Sequence, residues 1–156
     1  MKDHSMRKQS ASVLLLLMIL SLSACGDSRA PFDATITGPA DTTFTINPSD
    51  SRGQIVRALD FQVRDKTGTT ALPGVEVEFF AGGGGILTDL DGNPLNTTDP
   101  TYFKTKTDDV GLARVSFAIT LPNCASGADA TVNGTVNAAA GGAGKQWTGT
   151  FTVKQC

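Results

Sequence analysis

Alternation of apolar and polar residues with a period of two is the feature that most limits what this chain folds into. Segment 112–121 sets Ala113, Val115, Phe117, Ile119 and Leu121 against Arg114, Ser116 and Thr120. Segment 54–65 sets Leu59, Phe61 and Val63 against Asp60, Gln62 and Arg64, and segment 147–155 sets Trp147, Phe151 and Val153 against Thr148, Thr150, Thr152 and Lys154. Successive side chains of a strand point to opposite faces, so each segment buries one face and wets the other. No window after residue 32 carries the i, i+3, i+4, i+7 spacing of an amphipathic helix. A helical fold is excluded for the bulk of the chain.

Other segments complete the set. Residues 33–37 and 43–47 read as one strand broken at Gly38-Pro39; 74–81 points Val75, Val77 and Phe79 inward and Glu76 and Glu78 outward, with Phe80 anomalous on the outer face. Segment 101–107 is the least apolar and reads as an edge strand, and 129–139 alternates Val132 and Val136 with Thr and Asn. Gly, Pro, Asn and Asp punctuate the chain between them. The expectation is an all-β sandwich of about seven antiparallel strands over 33–156, closed by a hairpin near residues 142–143.

Three stretches then run in a familiar order: Pro73-Gly74-Val75-Glu76-Val77-Glu78-Phe79, Gly84-Gly85-Ile86-Leu87, and Thr107-Asp108-Asp109-Val110-Gly111-Leu112-Ala113-Arg114-Val115, with Asp65 ending the strand before them. This pattern resembles the bacterial immunoglobulin-like domains of intimins and invasins. The resemblance implies an Ig-like β-sandwich and covers most of 33–153. Gly111 suits a turn that needs positive φ. The chain departs from the family in having one such domain, no β-barrel translocator, and a long insertion at 88–100. Fold does not carry function with it.

The start of the chain reads as an address. Lys2, Arg7 and Lys8 precede an apolar run at 11–22, too short for a transmembrane helix of roughly 20 residues. The run ends in Leu22-Ser23-Ala24-Cys25, which resembles the lipobox of bacterial lipoproteins. That implies a signal peptide at 1–24, a lipid on Cys25, a tether over 25–32 and a domain over 33–156. Gly26 rather than aspartate after the cysteine implies the outer membrane. A free tether of seven residues at roughly 3.3 Å each reaches about 25 Å.

Removal of 1–24 discards the only histidine, His4, and all three methionines, so a Ser-His-Asp triad, a Cys-His pair and His-ligated metal are excluded from the exported chain. Losing Lys2, Arg7, Lys8 and Asp3 moves the net charge from −2 to −4. The remaining cations are scattered, which disfavours nucleic acid. Cys124 and Cys156 are expected to form a disulfide, as the exported compartment permits it and the hairpin brings residue 156 opposite Asp129, near the loop holding Cys124. The rival is a reactive or intermolecular thiol, but no histidine or basic cluster is present to lower either pKa.

Asp89, Asp91 and Asn93 place oxygens at alternate positions around Gly92, with Asp99 as an extra ligand, a spacing that calcium loops use. The same Asp-Gly-Asn-Pro run is ordinary turn chemistry, and the closing glutamate is missing. Gly82–Gly85 and Gly144-Lys145 lack the phosphate-loop pattern. Glu76 and Glu78 form an acid pair on one face without an evident cleft. Trp147 and Tyr102 would make a sugar platform if both were exposed, whereas the alternation places Trp147 in the core. The functional expectation is a non-enzymatic, lipid-anchored module contacting another envelope protein, as part of a surface or secretion assembly or as a small adhesin. The alternative is a carbohydrate- or calcium-dependent ligand-binding domain using the insertion.

Overall fold

The alternating segments fold as strands, with the apolar phase inward, in a computed structural model that describes residues 28–47, 53–122 and 127–154. In chain order these are β1 (Thr35–Thr37), β2 (Thr42–Ile46), β3 (Gln54–Arg64), β4 (Glu76–Gly82), β5 (Ile86–Thr88), β6 (Tyr102–Lys106), β7 (Leu112–Thr120), β8 (Ala130–Ala140) and β9 (Ala143–Val153). A four-stranded sheet, β1-β3-β7-β5, faces a five-stranded sheet, β2-β9-β8-β4-β6. The fold is an all-β, Ig-like sandwich: an ABED sheet packed on a GFC sheet with one strand added at each margin. The strand in the D position, β5, comes before β6 in the chain, so the connections cross between sheets three times from β4 to β7.

The core sits between the sheets. Phe61, Phe79, Phe117 and Phe151 are fully buried and Trp147 is 1% exposed. Phe61 meets Phe79 with centroids 5.4 Å apart, and Phe117 meets the edge of Trp147 at 5.6 Å. Each such side chain contributes about 1.5–3 kcal/mol of burial, and their spacing is that of offset aromatic packing.

Three expectations are corrected. The described residues hold nine strands, because the broken first strand is two strands in different sheets and β5 is an additional short one. Pro39 cannot donate to a ladder; past it the chain leaves β3 and joins the other sheet, where β2 pairs parallel with β9 rather than antiparallel. The last hairpin turns through Gly141-Gly142, with Ala140 opposite Ala143. Ala130 therefore stands opposite Val153, and Asp129 pairs its carboxylate with Lys154 instead of lying opposite residue 156. The shift is two residues, so every side chain keeps its expected face.

Asp65, Val75 and the Thr107–Leu112 turn gather at one pole of the sandwich, while the Gly84-Gly85 element lies at the other. The Asp108 carboxylate accepts the Val110 and Leu112 N–H groups at 3.0 and 2.9 Å, and Gly111 turns the chain at φ +77°. Its carbonyl accepts from Val63 N–H at 2.9 Å, so the turn is bonded to the end of β3. The Thr107 hydroxyl donates to Leu72 C=O at 2.6 Å and accepts from Val75 N–H at 3.1 Å. Asp65 accepts from the Thr67 hydroxyl at 2.8 Å and the Thr69 and Thr70 N–H groups at 3.1 and 3.2 Å. Led by the Thr67 bond, these donors lower its pKa from 3.8 to about 2.

Candidate functional site

The insertion at 88–100 is built onto the margin of the four-stranded sheet. Leu95 N–H bonds to Leu87 C=O at 3.1 Å, Leu87 N–H to Pro100 C=O at 2.8 Å, and Thr88 bridges Pro94 antiparallel. It covers the open edge of β5, which would otherwise present unpaired backbone groups. On the other sheet the edges are β2 and β6, the latter as expected for the least apolar segment. The Thr107-to-Val75 and Ala81-to-Thr101 bonds set the ladder phase, so the Lys104 and Lys106 backbone groups face outward. Lysines at such an edge discourage pairing with another chain.

The edge of β7 is only half covered. The Val63-to-Gly111 and Leu121-to-Gly53 bonds show that odd-numbered residues of β7 pair with β3. Even-numbered residues therefore turn their N–H and C=O groups toward β5. Ser116 and Ala118 lie opposite Thr88 and Ile86, while Leu112 exchanges bonds with Asp108. Arg114 is left with its backbone N–H and C=O aimed outward, beyond the end of β5.

A cleft of about 510 Å³ opens at that point, lined among others by Leu90, Leu95, Phe103, Val115, Asp60 and Arg114. Leu90 is 77% exposed, a large apolar side chain standing in water at the rim. The rim also carries Asp89 and Asp91, and Asp60 is paired with Arg114 at 3.3 Å. The Thr88 hydroxyl in its wall is buried without a hydrogen-bond partner. Four residues here, Arg114, Phe103, Leu90 and Leu95, were not singled out by the sequence. Two leucines inside an otherwise polar insertion were the available signal.

The proposed calcium ligands divide between two turns. Asp89 Oδ1 accepts the N–H groups of Asp91 and Asn93, each at 2.9 Å, and Oδ2 accepts the Asn93 side-chain amide at 3.0 Å. Led by the Asn93 amide, these donors push the Asp89 pKa down. Asp99 instead caps the turn into β6, accepting from Thr101 N–H at 3.0 Å and its hydroxyl at 2.6 Å. Among the described residues, no three His, Cys, Asp or Glu side chains come together as a metal-holding group.

Glu76 and Glu78 lie on the outer face of β4, as the alternation implies, with Lys104 Nζ at 2.8 and 3.5 Å. The Tyr102 hydroxyl donates to Glu78 at 2.9 Å, which raises the Tyr102 pKa; the Glu76 contact raises that of Lys104. This is a charge-paired sheet face. Phe80, anomalous in the sequence, meets Tyr102 at 5.1 Å, directly opposite it on β6. Trp147 is in the core, so Trp147 and Tyr102 form no shared platform. Cys25, Cys124 and Cys156, with the segment 1–24, lie outside the described residues.

No protein-family model matches the chain, and no curated protein matches it at a significant level. Among solved structures it is similar to the Escherichia coli chaperone DraB, at 12% identity and TM-score 0.40, over 78% of this chain and 56% of that one. It is similar to AggA, the major subunit of aggregative adherence fimbriae type I from Escherichia coli, at 12% identity and TM-score 0.40, over 81% and 97%. It is also similar to self-complemented MyfA, the major subunit of Myf fimbriae from Yersinia enterocolitica, at 15% identity and TM-score 0.30, over 78% and 97%. The chain thus spans little more than half the length of the chaperone.

Proposed function

We propose that this chain is a lipid-anchored, non-enzymatic Ig-like module of the intimin/invasin type, held at the outer membrane, which binds another envelope protein by strand addition in the β7 cleft. The observation that carries the contact is the outward-facing backbone of Arg114 beside the exposed Leu90. Together they offer what an added strand needs: main-chain hydrogen bonds for affinity and an apolar pocket for alternate side chains. The rim sets Asp60, Asp89 and Asp91 against the single cation Arg114. The segment that fits is therefore extended, alternately apolar, and carries a basic residue. Such a role suits an accessory part of a surface or secretion assembly, or a small adhesin. The lipid anchor is supported by the basic start, the apolar run and Leu22-Ser23-Ala24-Cys25.

A photo-crosslinking residue placed at Leu90 or Leu95 in cells tests the contact. A discrete adduct to one envelope protein is expected, and Arg114→Pro should abolish it by removing the outward N–H without touching the β3 ladder. An adduct that survives Arg114→Pro, or that forms equally from Thr150 on the far sheet, refutes strand addition here. Cys25→Ser should release the protein from membranes.

A further inference from the structure

We infer that the pole made by residues 28–32 and the β8–β9 turn is seated on the bilayer, with the Phe32 ring in the lipid interface. The inference rests on the lipid anchor at Cys25 proposed above, and adds to it an orientation and a lipid-contacting side chain.

The tether expected over 26–32 is not free along its length. Ser28 C=O accepts from Glu76 N–H at 2.5 Å, and Arg29 bridges Glu76 in parallel, beyond the last β4–β8 pair at Glu78 and Ala139. Ala30 is buried, and Pro31 C=O accepts from Ala34 N–H at 3.0 Å. The chain then crosses the hairpin tip. A Cβ on Gly141 would stand inside the Pro31 carbonyl oxygen, and one on Gly142 would lie 2.5 Å from the Phe32 carbonyl oxygen. Gly141 also holds φ +60°. The two glycines of the turn make room for the strap, so the strap is part of the fold.

Only Gly26 and Asp27 separate Cys25 from Ser28. Three residue steps reach at most about 10 Å, and each headgroup layer is itself about 5–8 Å thick. An anchored Cys25 therefore brings this pole down to the membrane surface. Phe32, 89% exposed over Gly142, is the most exposed large apolar side chain among those described. Val110, 56% exposed, projects from the Asp108–Gly111 turn at the same end. An exposed aromatic ring held at headgroup depth gains by entering the acyl boundary, as interfacial anchors do. The opposite pole, carrying the 82–85 turn and the start of β8, then faces away from the lipid.

The full lipidated chain, reconstituted in phosphatidylcholine vesicles with brominated acyl chains, tests this. Phe32→Trp and Leu90→Trp are compared, with the buried Trp147 as their common background. Both positions are exposed, so neither substitution disturbs the core. Phe32→Trp should shift to the blue and lose most of its added emission to bromine quenching, while Leu90→Trp keeps its emission. Equal quenching of both, or none for Phe32→Trp in a chain that floats with the vesicles, overturns the orientation and leaves the anchor standing. A blue shift that grows with protein concentration without quenching assigns Phe32 to a second copy and also overturns it. A chain that does not float and carries no diacylglycerol on Cys25 overturns the anchor, and the seating with it.

Discussion

Phe117 fills the middle of the sandwich with its ring lodged between β8 and the turn before β5, each of which carries glycine where it approaches the ring. A Cβ on Gly134 would stand inside that ring and 3.3 Å from Ile119 Cδ1; a Cβ on Gly85 would collide with it from the other side. Replacing Gly134 with Ala normally relieves a strand of about 0.5–1 kcal/mol of glycine entropy. Here the ring must retreat, and overpacking of this kind costs about 1–3 kcal/mol. Gly134→Ala should thus destabilise the fold by about 1–2 kcal/mol. Phe117→Ala alone empties a fully buried site and should cost about 3–5 kcal/mol, within reach of a domain stability of about 5–15 kcal/mol. In the Phe117→Ala background the new methyl enters the cavity, and Gly134→Ala should become neutral or stabilising. The coupling expected is about 2 kcal/mol, well above the ~0.5 kcal/mol scatter of independent sites. Urea unfolding of the Cys25→Ser chain, followed by the Trp147 emission that Phe117 abuts, measures all four corners. Additive costs would refute the claim that glycine at 134 is there to admit the ring.

Gly111→Ala should destabilise by at least about 1–2 kcal/mol in the same assay, since it places an L residue at φ +77° with its Cβ 2.8 Å from the Val63 carbonyl oxygen. Asp65 has a folded pKa of about 2 against 3.8 unfolded, so its stabilisation is complete above about pH 4 and disappears as pH falls toward 2. Asp65→Asn should remove that part of the acid limb, read as the urea midpoint against pH. A Cys124–Cys156 bridge closes a loop of about 33 residues, and Cys156→Ser should cost about 3–4 kcal/mol in the chain-entropy model; two free thiols on the unreduced, unfolded exported chain would show that no bridge exists. With both Asp89 oxygens occupied by N–H donors, the melting temperature should not move with millimolar calcium or with chelator.

Strands long enough to show a period were legible. The alternation placed β3, β4, β7 and β8 within one or two residues of their observed ends, and put Trp147 in the core and Glu76 and Glu78 outside. β5 was not legible, because three residues cannot display a period and Gly82–Gly85 before it reads as a bend. The break at Gly38-Pro39 was visible, but the parallel partner of β2 is more than a hundred residues away and leaves no local mark. Phe80 looked misplaced only until the register set it against Tyr102. The cleft was the least legible feature. Its walls come from β3, β6, β7 and the insertion, and no single segment carries its pattern.

The insertion shows why turn chemistry and ligand chemistry are hard to separate in a sequence. Asp89 and Asn93 stand at the spacing of a cation loop, yet both Asp89 oxygens are taken by the loop's own N–H groups, the Asn93 side-chain amide among them. That closure is what lets Leu95 return to Leu87 and protect the edge of β5. Protection stops at Thr88, because the antiparallel phase brings only Ser116 and Ala118 within reach of β5. Arg114, two residues further along the same edge, is therefore exposed by the length of β5 rather than by its own identity. Lengthening β5 by one ladder pair would close the edge, so the shortness of the strand is what makes the cleft available. Extending the 88–89 turn with an inserted residue pair should accordingly abolish crosslinking from Leu95 while leaving the fold intact by circular dichroism; unchanged crosslinking would separate the contact from the edge of β7.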